Sequence, residues 1–134
     1  MKKRGIFTDV ADSGHRQSFA TGSVRDIEVG KGNPSLIPTY PLRRLSIHYE
    51  NGSKKYGSWN WMLGQPLSRY IDSLIRHVWA VQDGLDDEDH EAAVLWNMMS
   101  FMVTKKLIDE GQLPKELDDM VYTVEGARKQ VGVK

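Results

Sequence analysis

The segment DEDHEAAVLWN, residues Asp87 to Asn97, places three acids and a histidine directly before an apolar run. At about 100° per residue, a helix here gathers small and polar side chains in one narrow strip, namely His90, Ala93, Asn97, Ser100 and Thr104. If the strip is buried, its polar groups need hydrogen bonds, a metal ion or a ligand. In the alternative interpretation, His90 and Asn97 only bond to neighbouring backbone and the acids only cap the helix.

A second group of polar residues lies on the two preceding helical segments. Asp72 and Arg76 are four residues apart, opposite a stripe of apolar residues, and His77 lies at the edge of that stripe. Glu50 lies at the end of the first segment, next to His48. Each has an ordinary structural explanation as a surface charge or a hydrogen-bonded core residue. Carboxylates and imidazoles near three helix ends nevertheless favour a site for Mg²⁺ or Mn²⁺, with predicted ligands Asp72, Asp89 and His90.

The glycine-rich segment TGSVRDIEVGKGN supplies chemistry that complements a metal site. Arg25 and Lys31, the latter between two glycines, could hold phosphate with side-chain charge and flexible backbone N–H groups. The spacing is not that of a Walker A loop. Further along, a lysine and aromatic residues add charge and stacking surface, although tryptophans in a small helical domain often belong to the core. The predicted substrate-binding residues are Arg25, Lys31, Lys55, Tyr56 and Trp61.

Composition limits the classes of protein to which the chain can belong. Its 134 residues fit one domain that buries roughly two thirds of its unfolded surface. Lysine plus arginine equals aspartate plus glutamate at 18 each, so we expect no direct nucleic-acid binding and no attraction to anionic membranes. There is no cysteine, no apolar run of the roughly 18 residues that span a membrane, and no signal peptide in MKKRGIFTDVAD. A cytoplasmic protein is expected.

Apolar spacing predicts three helices. The first begins near Pro41 and stops at Gly52, after about three turns. The second begins at Pro66 and ends at Gly84, with one apolar stripe formed by Leu67, Tyr70, Ile71, Leu74, Val78 and Val81. The third begins within LDDEDH and continues to about Glu110. Its apolar residues spread over most of its circumference, which predicts a central, largely buried helix.

The remaining segments frame these helices within a single all-α domain spanning 1–134. Residues 1–40 form a glycine-rich arm, since 1–35 contain five of the 12 glycines and little apolar periodicity. Residues 41–119 form the helical core, with a glycine-punctuated connection, SKKYGSWNWMLG, and a short turn at ELDDM. Residues 120–134 form a loosely specified tail.

Several stretches in order resemble one known family. They are QSFATGSVRD, GKGNPSLIP, LRRLSIHYENGSKKYGSWNW, PLSRYIDSLIRHVWA, DEDHEAAVLWN and GQLPKELDD. Over about residues 16–119 the chain resembles the phage family described as the dATP/dGTP diphosphohydrolase N-terminal domain. That family is similar to the MazG-like all-α nucleoside triphosphate pyrophosphohydrolases, which use metal held by helix-borne acids. The resemblance implies a MazG-like bundle of three main helices with an irregular N-terminal arm, a purine deoxynucleoside triphosphate as substrate, and pyrophosphate as product. A homo-oligomer is also expected.

The sequence departs from the MazG-like pattern of ExxE on one helix and ExxD on the next. Val94 and Asn97 stand where the glutamate and aspartate of the second motif would be. Glu88 and Glu91 have ExxE spacing, but they lie at a helix start on diverging faces.

Two hypotheses follow from this departure. In the first, a different set holds the metal, with His90 and Asp89 as substitutes, and the protein hydrolyses dATP or dGTP to the monophosphate and pyrophosphate. The predicted catalytic residues are then Glu50, Asp72, His77, Asp89, His90 and Asn97. In the second, the chain is a non-catalytic nucleotide-binding or host-interaction protein of a phage.

Overall fold

A computed structural model of the chain describes residues 10–133 and divides into two compact units, Met1–Ile37 and Pro38–Lys134. The first nine residues, which include Gly5 and most of the segment considered too polar for a signal peptide, lie outside the described residues. Among the described residues, no helix combines the length and apolar character that crossing a membrane requires.

The first unit contains one small β-hairpin. Strand β1, Arg16–Ser18, pairs antiparallel with β2, Val24–Asp26, so that Arg16 lies opposite Asp26. Its turn is closed by the Phe19 N–H, which donates to the Ser23 carbonyl at 2.9 Å. Apart from this hairpin and a short 3-10 helix at Pro34–Leu36, the described residues of the first unit form no helix or strand.

Helix α1 of the second unit, Thr39–Tyr56, is longer than the sequence predicts. The expectation that Gly52 ends it is wrong, because the helix continues to Tyr56 and Gly57, with φ +96°, is the residue that leaves it. The Gly57 N–H donates to the Ser53 carbonyl at 2.9 Å. Lys54 and Lys55 in the last turn also favour the longer helix, since cations stabilise the negative end of its dipole.

Helices α2, Leu67–Gln82, and α3, His90–Asp109, pack against each other, and α1 packs against α3. The three main helices therefore form the predicted all-α bundle. The apolar stripe of α2 is buried in its first turn but Val78 and Val81 are exposed, so a continuous buried stripe is wrong for its second half. The Ser68 N–H, near the start of α2, donates to Asp119 Oδ1 at 2.9 Å.

Helix α3 buries its small and polar side and exposes its large apolar side. The buried residues are His90, Ala92, Ala93, Asn97, Ser100 and Thr104, which confirms the predicted strip. Prediction of a largely buried helix is wrong, since the opposite face is at least two-fifths exposed at Leu95, Met98, Met99 and Met102. Small side chains let α1 and α2 pack closely on one side, whereas the large apolar side chains of the other side stay exposed.

Short elements connect and follow these helices. A 3-10 helix at Asn60–Leu63 connects α1 to α2, and another, at Lys115–Leu117, follows α3. The tail at residues 120–134 contains a short helix, α4, which spans Val124–Gln130. Thr123 caps α4 by accepting the Gly126 N–H at 3.0 Å.

Candidate functional site

A cavity of about 420 Å³ lies in the second unit, where α1, the Asn60–Leu63 segment, α2 and α3 meet. Its size falls within the range of small-molecule sites in proteins. Four of its lining side chains carry a guanidinium or an imidazole: His48, Arg69, Arg76 and His77. The described residues that line it include no aspartate or glutamate. The cavity therefore favours an anionic ligand.

The two arginines of the cavity are available to a ligand. Within the described part of the chain, neither Arg69 nor Arg76 takes part in a salt bridge. An ion pair between Arg76 and Asp72, considered from their spacing, is therefore not formed here. Unpaired guanidinium groups bind phosphate oxygens well, because their N–H groups match two oxygens at once.

Aromatic rings form another part of the cavity wall. Tyr49 contacts Trp61 edge to face, with ring centroids 6.4 Å apart, and Trp96 at 6.3 Å. Tyr56 also lines the cavity. Offset and edge-to-face contacts hold such rings in place, and their faces suit stacking against a nucleobase.

Amide side chains add hydrogen-bonding groups. Asn97 is 4% exposed, and its Nδ2 donates to the Ala93 carbonyl at 2.8 Å. Asn97 is also one of the residues that line the cavity. Asn60 and Gln65 also line it. Amides both donate and accept, so they can contact the edge of a base or a sugar.

Beside the cavity, two histidines and a glutamate converge. His77 Nδ1 lies 2.9 Å from His90 Nδ1, and Glu88 Oε1 lies 3.4 Å from the former and 3.5 Å from the latter. His77 comes from α2, His90 begins α3, and Glu88 lies in the loop between them. We call these three residues the His–His–Glu cluster. Since His77 also lines the cavity, the cluster and the cavity are adjacent.

Hydrogen bonding and burial set the charge states around the cluster. Asp87 Oδ1 lies 2.7 Å from His90 Nε2, and this hydrogen bond is the main reason that the pKa of Asp87 is lowered. Burial lowers the pKa of His77, with Glu88 acting in the opposite direction. Neutral imidazole is the form that binds metal ions.

The donor set of the cluster fits a divalent cation. One ligand atom from each residue lies within 4.8 Å of the other two. Two ligands about 2.1 Å from the same ion lie about 3.0 to 3.4 Å apart at bond angles between 90° and 109°. The three separations of 2.9, 3.4 and 3.5 Å are close to these values. Of the metal ligands predicted from sequence, only His90 belongs to the cluster.

The other predicted metal and catalytic residues lie elsewhere in the second unit. Asp89 caps α3 and pairs with Arg44. Asp72 is exposed on α2 and does not line the cavity. Glu50 is exposed on α1, with Oε1 3.6 Å from Lys54 Nζ. The structure thus brings together His77, His90 and Asn97 of the predicted catalytic set around the cavity and cluster.

The predicted substrate-binding residues are divided between the two units. Tyr56 and Trp61 line the cavity, and Lys55 lies over the Tyr56 ring, with Nζ 5.1 Å from its centroid. In the first unit, Arg25 is exposed on β2, and Lys31 Nζ contacts Asp26 Oδ2 at 3.1 Å.

Several residues of the site escaped prediction. Glu88 has ExxE spacing with Glu91, but its partners are histidines contributed by two helices. Arg69, His48 and Trp96 carry no motif of their own. Helical spacing was the signal that could have identified His48 and Arg69. His48 lies four residues before Gly52, on the same side of the first helix, and Arg69 lies seven residues before Arg76, on the same side of the second.

Comparison with known proteins places the chain in a family. Residues 21–112 match the family model described as dATP/dGTP diphosphohydrolase, N-terminal, which confirms the resemblance. The matched range includes all the residues of the cavity lining and of the cluster. No curated protein and no solved structure matches the chain. Because the matched residues make up more than half of its length, the chain belongs to the dATP/dGTP diphosphohydrolase N-terminal family.

Proposed function

We propose that the protein is a metal-dependent pyrophosphohydrolase of purine deoxynucleoside triphosphates, converting dATP or dGTP to the monophosphate and pyrophosphate. The family description supports the substrate and the class of reaction. The observation that carries the proposal is the position of His77, which belongs both to the cation-rich cavity and to the His–His–Glu cluster. A triphosphate in the cavity would lie beside a metal site.

The cavity residues divide into those suited to phosphate and those suited to the nucleoside. Arg69 and Arg76 would hold phosphate oxygens. Trp61 and Tyr56 would stack against the base, and Asn97 would donate to or accept from the nucleoside. Three of these residues, Tyr56, Trp61 and Asn97, were predicted from the sequence as site residues, and all three line the cavity.

The cluster would hold the divalent cation, for which Mg²⁺ and Mn²⁺ are the ions expected from the family. A bound cation there supplies charge neutralisation on the phosphates and Lewis acidity. In the reaction, a water oxygen forms a bond to the α-phosphorus, and the bond from that phosphorus to the α–β bridging oxygen breaks. Pyrophosphate leaves with the bridging oxygen. His48, the cavity imidazole outside the cluster, would accept the proton of the water.

The structure gives less support to the site roles of the other residues predicted from the sequence. Lys55 lies next to the cavity residue Tyr56 and could reach an outer phosphate. Glu50, Asp72 and Asp89 do not line the cavity, so their catalytic roles stay predictions. The phosphate-binding roles of Arg25 and Lys31 also stay predictions.

The competing hypothesis is a protein that binds a nucleotide, or a host protein, without hydrolysis. Incubation of the protein with dATP or dGTP and Mn²⁺ or Mg²⁺, with inorganic pyrophosphatase added, separates the two. Hydrolysis releases phosphate and yields dAMP or dGMP on chromatography. dCTP and dTTP report the preference for purines. His77→Ala should abolish release, with Asp83→Ala as control, since Asp83 is exposed and does not line the cavity. Nucleotide binding without monophosphate formation would favour the competing hypothesis.

Self-association is part of the same proposal. The apolar face of α3, with Leu95, Met98, Met99 and Met102, is exposed in the single chain. Exposed apolar surfaces of this kind are typical of interaction sites. We expect sedimentation velocity to show a species heavier than the 15.3 kDa monomer, and Met98→Glu combined with Met102→Glu to shift it to the monomer. A wild-type protein that sediments as a monomer would contradict this part of the proposal.

A further inference from the structure

We propose that His77, Glu88 and His90 form a preorganised site for a first-row transition-metal ion in preference to Mg²⁺, and that Asp87 positions His90 so that Nδ1 is its ligand atom. The inference rests on the proposed function for its biological use and refines the identity of the cation. Metal binding itself requires neither a nucleotide nor hydrolysis, so it is testable separately.

The ligand types decide the class of ion. Two of the three donors are imidazole nitrogens, one each from His77 and His90, and the third is a carboxylate oxygen of Glu88. Mg²⁺ strongly prefers oxygen ligands, whereas imidazole suits Mn²⁺, Fe²⁺, Co²⁺ and Zn²⁺ in roughly increasing affinity. Two histidines and one carboxylate on one side of an ion leave its remaining coordination positions open for phosphate oxygens or water.

The hydrogen bond to Asp87 determines which nitrogen of His90 can bind an ion. His90 Nε2 lies 2.7 Å from Asp87 Oδ1, and the carboxylate can only accept, so Nε2 carries the proton. In the neutral ring Nδ1 then has a free lone pair, and this atom faces His77 Nδ1 at 2.9 Å. A carboxylate behind a ligating histidine fixes the ring and increases its basicity. Asp87 is therefore a positioning residue.

Burial keeps the two histidine ligands in place before an ion arrives, while the exposed Glu88 reaches both of them from the loop. His90 is 8% exposed and His77 is half-buried, so their rings have little freedom to rotate. Without an ion, His77 Nδ1–H can donate to His90 Nδ1, which accounts for their short separation. Ion binding needs only the transfer of the His77 proton to its Nε2, which makes no hydrogen bond with the described residues. The two histidine ligands are thus in position in advance.

The selectivity is tested on the full chain without a tag and without nucleotide. Titration with Co²⁺ should give visible absorption bands that saturate at one ion per chain, and calorimetry should give the same stoichiometry. A large excess of Mg²⁺ should leave the bands unchanged, whereas Zn²⁺ should displace Co²⁺. Displacement by Mg²⁺ at concentrations similar to that of Co²⁺, or the absence of saturable Co²⁺ binding, would overturn the proposal.

The role of Asp87 is tested by comparing three variants by Co²⁺ titration. Asp87→Ala should weaken binding by about 10- to 100-fold, as is usual when the partner of a ligating histidine is removed. Asp87→Asn should bind with intermediate affinity, because its amide oxygen still accepts from Nε2. Asp86→Ala removes the same charge one residue earlier and should bind as wild type does. Equal affinities of Asp87→Ala and Asp86→Ala would remove Asp87 from the site.

Imidazole nitrogen shifts identify the ligand atoms directly. In the Zn²⁺-loaded, ¹⁵N-labelled protein, the Nδ1 signals of His77 and His90 should move to values for metal-bound nitrogen. His15, which lies in the other unit, serves as the internal reference among the four histidines. Unmoved signals of both cluster histidines would contradict the site even if the protein hydrolyses dATP. Metal-bound shifts in a protein that does not hydrolyse dATP would leave this inference standing and remove the proposed function.

Discussion

Arg44 on α1 and Asp89 before α3 form a two-point ion pair, with Nε 3.0 Å from Oδ2 and Nη2 2.5 Å from Oδ1. The same carboxylate accepts the Ala92 N–H at 3.0 Å and so caps α3. One side chain therefore both starts α3 and attaches it to α1.

Asp89→Ala should destabilise the protein more than Asp89→Asn does. The alanine variant loses the cap and the ion pair, whereas asparagine is itself a good N-cap and loses only the charge. Loss of a cap typically costs about 1 kcal/mol. The side chain of Asp89 is 35% exposed, so solvent weakens the ion pair and we expect a smaller loss from charge removal. Urea unfolding measures the unfolding free energy of each variant. Equal stability of the two would contradict a contribution of the Asp89 cap that is separate from its ion pair.

The stabilisation by the Arg44–Asp89 pair should disappear in acid. The hydrogen bond from Arg44 is the main cause of the lowered pKa of Asp89. Its stabilising effect is therefore fully present above the ordinary value of 3.8 and is lost as the pH falls through the lower value of the folded state. The difference in unfolding free energy between wild type and Asp89→Asn should be constant near neutral pH and shrink below that ordinary value. If this difference in unfolding free energy grew in acid, the ion pair with Arg44 would not be the interaction that stabilises the folded state through Asp89.

Asn97→Asp should destabilise the fold at neutral pH and less so in mild acid. An ionised carboxylate cannot donate to the Ala93 carbonyl, and at 4% exposure it is poorly solvated. We expect a loss of about 1 to 3 kcal/mol. Burial raises the pKa of such a carboxyl, so protonation relieves the loss as the pH falls through that raised value. Melting temperatures at neutral pH and pH near 5, with wild type alongside, give the test.

Mn²⁺ distinguishes the two interpretations of Asn97. If the residue only satisfies a buried hydrogen bond, Mn²⁺ should raise the melting temperature of wild type and Asn97→Asp equally. A larger rise for Asn97→Asp would mean that the introduced carboxylate binds an ion, as the corresponding acid does in MazG-like enzymes.

Gly64→Ala should destabilise the protein more than Gly57→Ala. Both glycines have positive φ, +76° and +96°, so an alanine at either position strains the backbone. At Gly64 a Cβ atom would also lie 2.7 Å from Leu113 Cδ1 and 3.1 Å from Leu117 Cδ1, while at Gly57 it would meet nothing within 4 Å. Overpacking adds about 1 kcal/mol or more. Equal unfolding free energies would show that the leucines move aside freely.

Arg69→Ala and Arg76→Ala should each weaken nucleotide binding about tenfold or more, because hydrogen bonds to charged groups contribute about 1.5 to 3 kcal/mol. Calorimetry with a non-hydrolysable dATP analogue and Mn²⁺ measures the affinity. Arg43→Ala is the matched control, since Arg43 is exposed on α1 and does not line the cavity. A uniform decrease in all three variants would indicate a general electrostatic effect instead of contacts in the cavity.

The helices were predictable because their apolar spacing and glycine signals are local. The helix ends were less predictable. Gly52 lies within α1, because a single glycine inside a helix costs only about 1 kcal/mol relative to alanine. The burial of α3 was predicted correctly for its small polar side and wrongly for its methionine side. Periodicity identifies a face, but which apolar face is covered depends on how the other helices pack.

The site was predictable where its residues lie on helices. His90 and Asn97 follow helical spacing within one strip, and His77 marks the edge of another. Glu88 lies in the loop before α3, and its approach to His77 depends on the loop conformation, which spacing does not specify. Asp89 has the residue type of a metal ligand, but the sequence gives no sign that Arg44 reaches it from 45 residues away.

The exposed side of α3 also presents three methionines to oxidants. The chain has no cysteine, so its sulfur chemistry is confined to six methionines. Met98, Met99 and Met102 are 41%, 41% and 63% exposed, and none of them lines the cavity. Peroxide converts such thioethers to polar sulfoxides, a change that methionine sulfoxide reductases reverse. Oxidation of these three residues would therefore make the apolar face polar and leave the buried strip intact, and it would weaken the self-association proposed for this face.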